Sequence, residues 1–237
     1  MLKSSTRHQS FSSPLVRTAL IPVFTALSLA TNYAMIDIPN VKLMDAFVFI
    51  AAFLFGLEVG LGTAISIWAV YGFINPYGQD DLTLLLFLMT GECLYAIAGT
   101  LLSRTSVAQE LMAKQIQAQT INKQSVKYGM HPETGRLSRI KNRAGDLLNN
   151  ARRYGRMSLL FGLIGFQATF AYDALTNFGS WVFKTSSLYQ ALIIGMITGV
   201  PFAILHEASN LVFFATVVPP AIAAAKRAGL HIQQRIT

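Results

Sequence analysis

Of 237 residues only 13% are Asp, Glu, Lys or Arg, while 53% are hydrophobic and mean hydropathy is +0.46. That is about half the ~25% charge content of a soluble domain, too little to clothe a water-soluble globule. A single cysteine, Cys93, excludes a disulfide scaffold and a zinc ribbon, the apolar content excludes disorder outside one polar segment, and an all-α integral membrane protein is predicted.

The net charge of +8 is unevenly placed. Residues 104–156 hold eleven Lys/Arg against three acids, Glu110, Glu133 and Asp146, and the rest of the chain balances to zero. A basic excess confined to one segment between apolar runs reads as a cytoplasmic loop rather than a nucleic-acid surface, and no aromatic interleaving accompanies it.

A hydrocarbon core of ~30 Å needs about 20 helical residues to cross. Six spans are predicted: Pro14–Ile36, a short Val41–Leu57, Val59–Ile74, Leu82–Leu102, Met157–Asn177 and Phe202–Ala221. Leu188–Val200 is expected to be an outer, kinked lead-in or interfacial helix, since proline breaks the backbone ladder; a seventh span is the alternative. The small residues Ala26-Leu-Ser-Leu-Ala30 imitate a signal-peptide cleavage site. The apolar run is longer than the usual ~7–15 residues, so the segment is read as a retained span.

Lys and Arg concentrate in the N-terminal tail, the central segment and the C-terminal tail, leaving only Lys42 and Lys184 elsewhere. By the positive-inside rule both termini are cytoplasmic. The expected order is a cytoplasmic tail (1–13), membrane helices 1–4 (14–103), a basic cytoplasmic insert (104–156), membrane helices 5–6 (157–225) and a second tail (226–237). Within the insert, Leu137, Ile140, Ala144, Leu147 and Ala151 form an amphipathic stripe beside basic residues. It suits the anionic inner leaflet or a partner, and a plain solvated helix is the other reading.

Polar residues fall on one side of the membrane. Asn32, Trp68, Tyr71, Asn75, Tyr172, Asp173 and Asn177 lie toward the outer ends of their spans, His206 and Asn210 in the first half of the sixth, and Glu92 near mid-depth. Ionisable side chains in hydrocarbon cost several kcal/mol each and normally face a cavity or one another. The cluster predicts a pocket open to the outside, with aromatic walls from Trp68, Tyr71, Tyr172 and Trp181 suited to a flat organic molecule. Belt anchoring by Tyr33 and Trp181, hydrogen-bond glue from Asn177 and Asn210, and a satisfied His206–Glu207 pair are the plainer readings. The turns Asp37-Ile-Pro-Asn40 and Asn75-Pro-Tyr-Gly78 are placed to cap the opening.

Thr18, Pro22, Ala26, Ala30 and Ala34 recur every four residues. Such a ridge lets helix backbones approach closely, either within the chain or on a partner subunit. No phosphate loop of the G-x-x-x-x-G-K-[ST] type, no H-E-x-x-H, no G-x-S-x-G and no Cys/His cluster with metal spacing is found. The reading is therefore capture without an engine, and neither an enzyme nor a resident cofactor is expected.

The six spans, the alanine ridge and the short second span ending at Gly56 resemble the substrate-binding S components of energy-coupling factor (ECF) transporters. So do the stretches Ile38-Pro-Asn-Val-Lys-Leu-Met-Asp45, Gly56-Leu-Glu-Val-Gly60, Tyr172-Asp-Ala-Leu-Thr-Asn177 and Gly199-Val-Pro-Phe202 with His206 and Ser209-Asn210. The resemblance covers residues 15–103 and 157–222. It implies capture of a micronutrient, usually a B vitamin or precursor, at the plasma membrane. It further implies docking through Ala26 and Ala30, with Ala34 on the same ridge, onto a transmembrane coupling subunit that two ATPase subunits drive. Asp173, Asn177, His206 and Asn210 match positions that line the pocket in that family. The candidate substrate-binding set is Asn32, Asn40, Trp68, Tyr71, Asn75, Glu92, Tyr172, Asp173, Asn177, His206 and Asn210. The long basic insert departs from the family pattern. Two other functions fit the residues: a stand-alone transporter coupled to protons through Glu92 and Asp173, and a membrane enzyme using His206 and Glu207.

Overall fold

The computed structural model describes residues 13–76, 81–128 and 136–231, with the side chains of 118–151 and 153 excluded. All regular structure among them is helical: α1 (Pro14–Ala34), α2 (Met44–Phe55), α3 (Leu57–Ile74), α4 (Leu82–Arg104), α5 (Ser106–Tyr128), α6 (Arg136–Gly179), α7 (Leu188–Thr216) and α8 (Val218–Arg227). Five segments are long and apolar enough to cross a membrane: Pro14–Ala34, Leu57–Ile74, Leu82–Arg104, Tyr154–Gly179 and Leu188–Arg227.

The short helix α2 organises the rest. Its 12 residues reach only about 18 Å at 1.5 Å per residue, less than a hydrocarbon core. Every residue except Phe47 is buried, so α2 is a core helix wrapped by its neighbours. Glycines admit that approach. A β-carbon on Gly60 would meet Ala52 Cβ at 2.5 Å, and one on Gly99 would meet the Phe49 carbonyl oxygen at 2.5 Å. Backbones packed this closely gain dispersion contacts where lipid offers no hydrophobic drive. Phe49 then stacks edge-on against Phe161 of α6 and Phe214 of α7.

The turn from α2 to α3 uses Gly56 at φ 93°, a left-handed value that a β-carbon would strain. Arg17 of α1 and Glu58 of α3 pair at 2.8 Å beside this corner. Ser13 caps α1 by accepting from the Val16 amide, with Pro14 next to it where no amide donor is needed.

One expectation is corrected. Pro201 does not divide a lead-in from the sixth span, because α7 runs unbroken from Leu188 to Thr216 with Pro201 inside it. Membrane helices tolerate proline where neighbouring groups re-satisfy the freed carbonyl. The interruption falls at Val217 instead, and Pro219 and Pro220 stand in the first turn of α8, where missing amide donors cost nothing. The fifth span, expected over Met157–Asn177, falls within the apolar segment Tyr154–Gly179, which is the last part of the 44-residue α6 beginning at Arg136.

Residues 106–128 are also helical, and the first turns of α5 are not detached from the bundle. Ala108 and Met112 join Met157, Val218, Ile222 and Ala223 in one buried cluster at the end of the bundle bearing the insert. The stripe from Leu137 to Ala151, the N-terminal tail 1–12 and the turn residues Tyr77 and Gly78 lie outside the described side chains.

Candidate functional site

At the opposite end of the bundle, where α1 and α3 finish and α2 and α4 begin, a cavity of about 280 Å³ lies among five helices (α1, α3, α4, α6 and α7) and the loop before α2. Asn32, Asn40, Trp68, Tyr71, Asn75, Tyr172, Asp173, Asn177 and His206 all line it. Residues from α1, α3, α6, α7 and the 35–43 loop, distant in sequence, thus meet at one depth. Glu92 and Asn210 do not line the cavity; they are buried behind it, Glu92 against the lining Trp68 and Asn210 against Asp45, which reaches the cavity only through His206.

Helical spacing builds the floor. His206 and Asn210 are four residues apart on α7, and Thr169 and Asp173 four apart on α6, so each pair shares a face. His206 Nδ1 lies 2.8 Å from Asp173 Oδ1, and Nε2 lies 2.7 Å from Asp45 Oδ2. The Tyr172 ring meets the imidazole edge-on at 5.4 Å. Beneath, the Asn210 amide donates to Asp45 Oδ2 at 2.7 Å and Thr169 Oγ1 at 2.8 Å. The Tyr95 hydroxyl donates to Thr169 Oγ1 at 3.0 Å, and the Thr169 hydroxyl in turn donates to the Gly165 carbonyl at 2.8 Å. Such networks rigidify a core when satisfied, since a lone polar group in low dielectric is costly.

Asp45 holds the centre. It is 0% exposed, in the first turn of α2, where the aligned peptide dipoles favour a negative group. Its own helix therefore helps hold the carboxylate that His206 and Asn210 engage. Asp45 is not in the candidate set read from the sequence. Its signal in the sequence is its place between Met44 and the apolar run Ala46–Phe55.

The walls are aromatic. Trp68 donates its indole N–H to Glu92 Oε2 at 3.1 Å, which fixes the ring and gives the buried carboxylate a partner. Trp68 packs against Tyr71, and Tyr71 against Tyr33, whose hydroxyl donates to the Ile74 carbonyl at 2.9 Å. Tyr33 is therefore tied into this wall. Lys42 Nζ lies 5.2 Å from the Trp68 ring centroid and 5.9 Å from that of Tyr172.

Asn177 depends on a close helix crossing. A β-carbon on Gly199 of α7 would fall 2.2 Å from the Asn177 side chain, and one on Gly195 would fall 2.3 Å from its carbonyl oxygen. Trp181, expected in the wall, instead donates to Thr198 Oγ1 at 3.2 Å and does not line the cavity. His206 engages Asp45 and Asp173 rather than its neighbour Glu207.

Ala26, Ala30 and Ala34, with Thr18 and Pro22, are all exposed on the outward face of α1. The inward face of the same helix buries Thr25, Ser28 and Asn32. Comparison with protein-family models, curated proteins and solved structures finds no match.

Proposed function

We propose that this chain is the substrate-capturing membrane subunit of an ATP-driven importer of the ECF type, binding a small organic micronutrient such as a B vitamin or precursor. In this reading α2 counts as the second of six spans and both termini are cytoplasmic, with residues 104–156 a cytoplasmic insert. The cavity opens to the outside of the plasma membrane. The chain is not an enzyme, and its energy comes from a transmembrane coupling subunit and two ATPase subunits.

The observation that carries the proposal is the 280 Å³ cavity at one end of the bundle, walled by Trp68, Tyr71 and Tyr172 and floored by Asp173 and His206. Ionisable groups at such depth mark a ligand or ion route. A cavity with aromatic walls and a few convergent polar groups is the usual form of a small-molecule site. The exposed ridge through Ala26, Ala30 and Ala34 supports docking of a partner helix, because small side chains permit close backbone approach.

Purification of the full chain in detergent, followed by mass spectrometry of released small molecules, tests the proposal. A bound organic compound, with uptake appearing only when coupling and ATPase subunits are co-expressed, is the expected result. Absence of any bound or bindable organic ligand overturns it. The Asp45–His206–Asp173 chain favours a second reading, a stand-alone proton-coupled transporter. Uptake by vesicles containing this chain alone, driven by a pH gradient, would select that reading instead.

A further inference from the structure

Proton bookkeeping at the cavity floor constrains the charge of what can enter. Both ring nitrogens of His206 face carboxylate oxygens, so each contact needs one proton. An imidazolium between two carboxylates satisfies this, as does a neutral imidazole with one carboxyl protonated. In either arrangement the trio carries a single net negative charge. Lys42 supplies one positive charge nearby, and among the described residues it forms no salt bridge. Its ammonium instead rests over the rings of Trp68 and Tyr172.

Two buried polar atoms lining the same cavity lack a hydrogen-bond partner among the described residues: Asp173 Oδ2, an acceptor, and Asn32 Nδ2, a donor. Both residues are more than nine-tenths buried. No three His, Cys, Asp or Glu side chains among the described residues are disposed to hold a metal ion. An anion entering here would approach Asp173 and the net negative trio. A cation would find a ready partner and two aromatic faces, an arrangement suited to organic ammonium groups.

We infer that the cavity selects a singly charged organic cation, whose positive group displaces Lys42 from between Trp68 and Tyr172 and pairs with Asp173 Oδ2. Lys42 is a tethered stand-in for that group. It belongs to the loop joining α1 to α2, whose residues Ile38–Lys42 line the cavity, so its displacement moves a part of the cover. The exchange conserves charge in the low-dielectric interior. Asn32 Nδ2 adds a requirement for a hydrogen-bond acceptor elsewhere on the ligand. The inference rests on the capture reading and names its substrate class.

The test uses the full chain in lipid nanodiscs, with Trp181→Phe so that Trp68 alone reports by fluorescence. The protein is incubated with a small-molecule extract of the expressing cells and washed. Retained compounds are sorted by charge in a mass spectrometer, and benzyltrimethylammonium is titrated as both probe and competitor. The expected result is retention of cations that benzyltrimethylammonium displaces, with quenching of Trp68. Lys42→Met, which removes the internal competitor, is expected to bind the probe about tenfold more tightly. Retention of only neutral or anionic compounds overturns the inference and leaves the capture reading standing. Failure of the probe to displace a retained cation, or weaker probe binding by Lys42→Met, also overturns it. If nothing is retained and the probe does not bind, the capture reading itself fails.

Discussion

His206 Nε2 on α7 lies 2.7 Å from Asp45 Oδ2 at the start of α2, across 161 positions of sequence. This contact ties the buried core helix to the helix that closes the far side of the cavity. With the Asp173 contact at 2.8 Å it makes a three-residue polar bridge through an apolar bundle.

Breaking that bridge at Asp45 should destabilise the fold. Asp45→Ala leaves His206 Nε2 without its carboxylate and strips one acceptor from Asn210. Removing one partner of a buried ion pair costs roughly 3–5 kcal/mol. Unfolding of the detergent-solubilised chain, followed by circular dichroism, is expected to show a loss on that scale. A variant within about 1 kcal/mol of the parent would mean that the bridge contributes nothing structural.

Trp68→Phe keeps an aromatic wall but removes the donor to Glu92 Oε2. A buried acceptor deprived of its partner costs about 1–3 kcal/mol. The variant is expected to melt at lower temperature than the parent, and Glu92→Gln, which retains an acceptor oxygen for the indole N–H, should lose less. Equal losses in the two variants would argue against the hydrogen bond as the cause.

Glycine positions should divide by the space around them. Gly99→Ala drives a methyl group to 2.5 Å from the Phe49 carbonyl oxygen on the core helix, an overlap that must shift backbone. Overpacking of this kind costs about 1–3 kcal/mol. Gly155→Ala in α6 meets nothing within 4 Å and should stabilise the helix by about 0.5–1 kcal/mol. Thermal melts of the two variants should move in opposite directions.

The ridge on α1 should matter for assembly and not for the cavity. Ala26→Leu with Ala30→Leu enlarges an exposed face, opposite the buried Thr25, Ser28 and Asn32. Ligand binding by the purified chain is expected to stay within about twofold, because surface changes away from the core usually shift stability by no more than ~0.5 kcal/mol. Uptake supported by co-expressed partner subunits is expected to fall by an order of magnitude or more if that face packs against another helix. Undiminished uptake would remove α1 as the docking face.

Much of the cavity lining is legible in the sequence. Asn32, Trp68, Tyr71, Tyr172, Asp173, Asn177 and His206 stood out because polar groups are conspicuous in apolar runs, and the expected depth of each followed from its distance to a helix end. Asn40 and Asn75 follow from the turns after α1 and α3. What escaped was the difference between lining and supporting. Glu92 and Asn210 carry the same signal as Asp173, yet their side chains turn toward Trp68 and toward Asp45 and Thr169, behind the cavity wall. Rotation about a helix axis decides that, and one sequence gives its period without its phase relative to neighbours. Proline was misread for a related reason. Pro201 looks like a breaker, but whether a freed carbonyl is tolerated depends on what packs beside it.

Composition and the spacing of apolar runs, by themselves, determine that this is a helical membrane protein and which helix ends gather polar side chains, because both follow from the cost of exposing charge and backbone to hydrocarbon. Only the packed bundle decided that Asp45 is the centre of the polar network, and that Lys42 lies over two aromatic rings. Those outcomes depend on α2 being drawn inward among glycine-lined neighbours. That is a matter of which helices can approach closely, and it exists only once they meet.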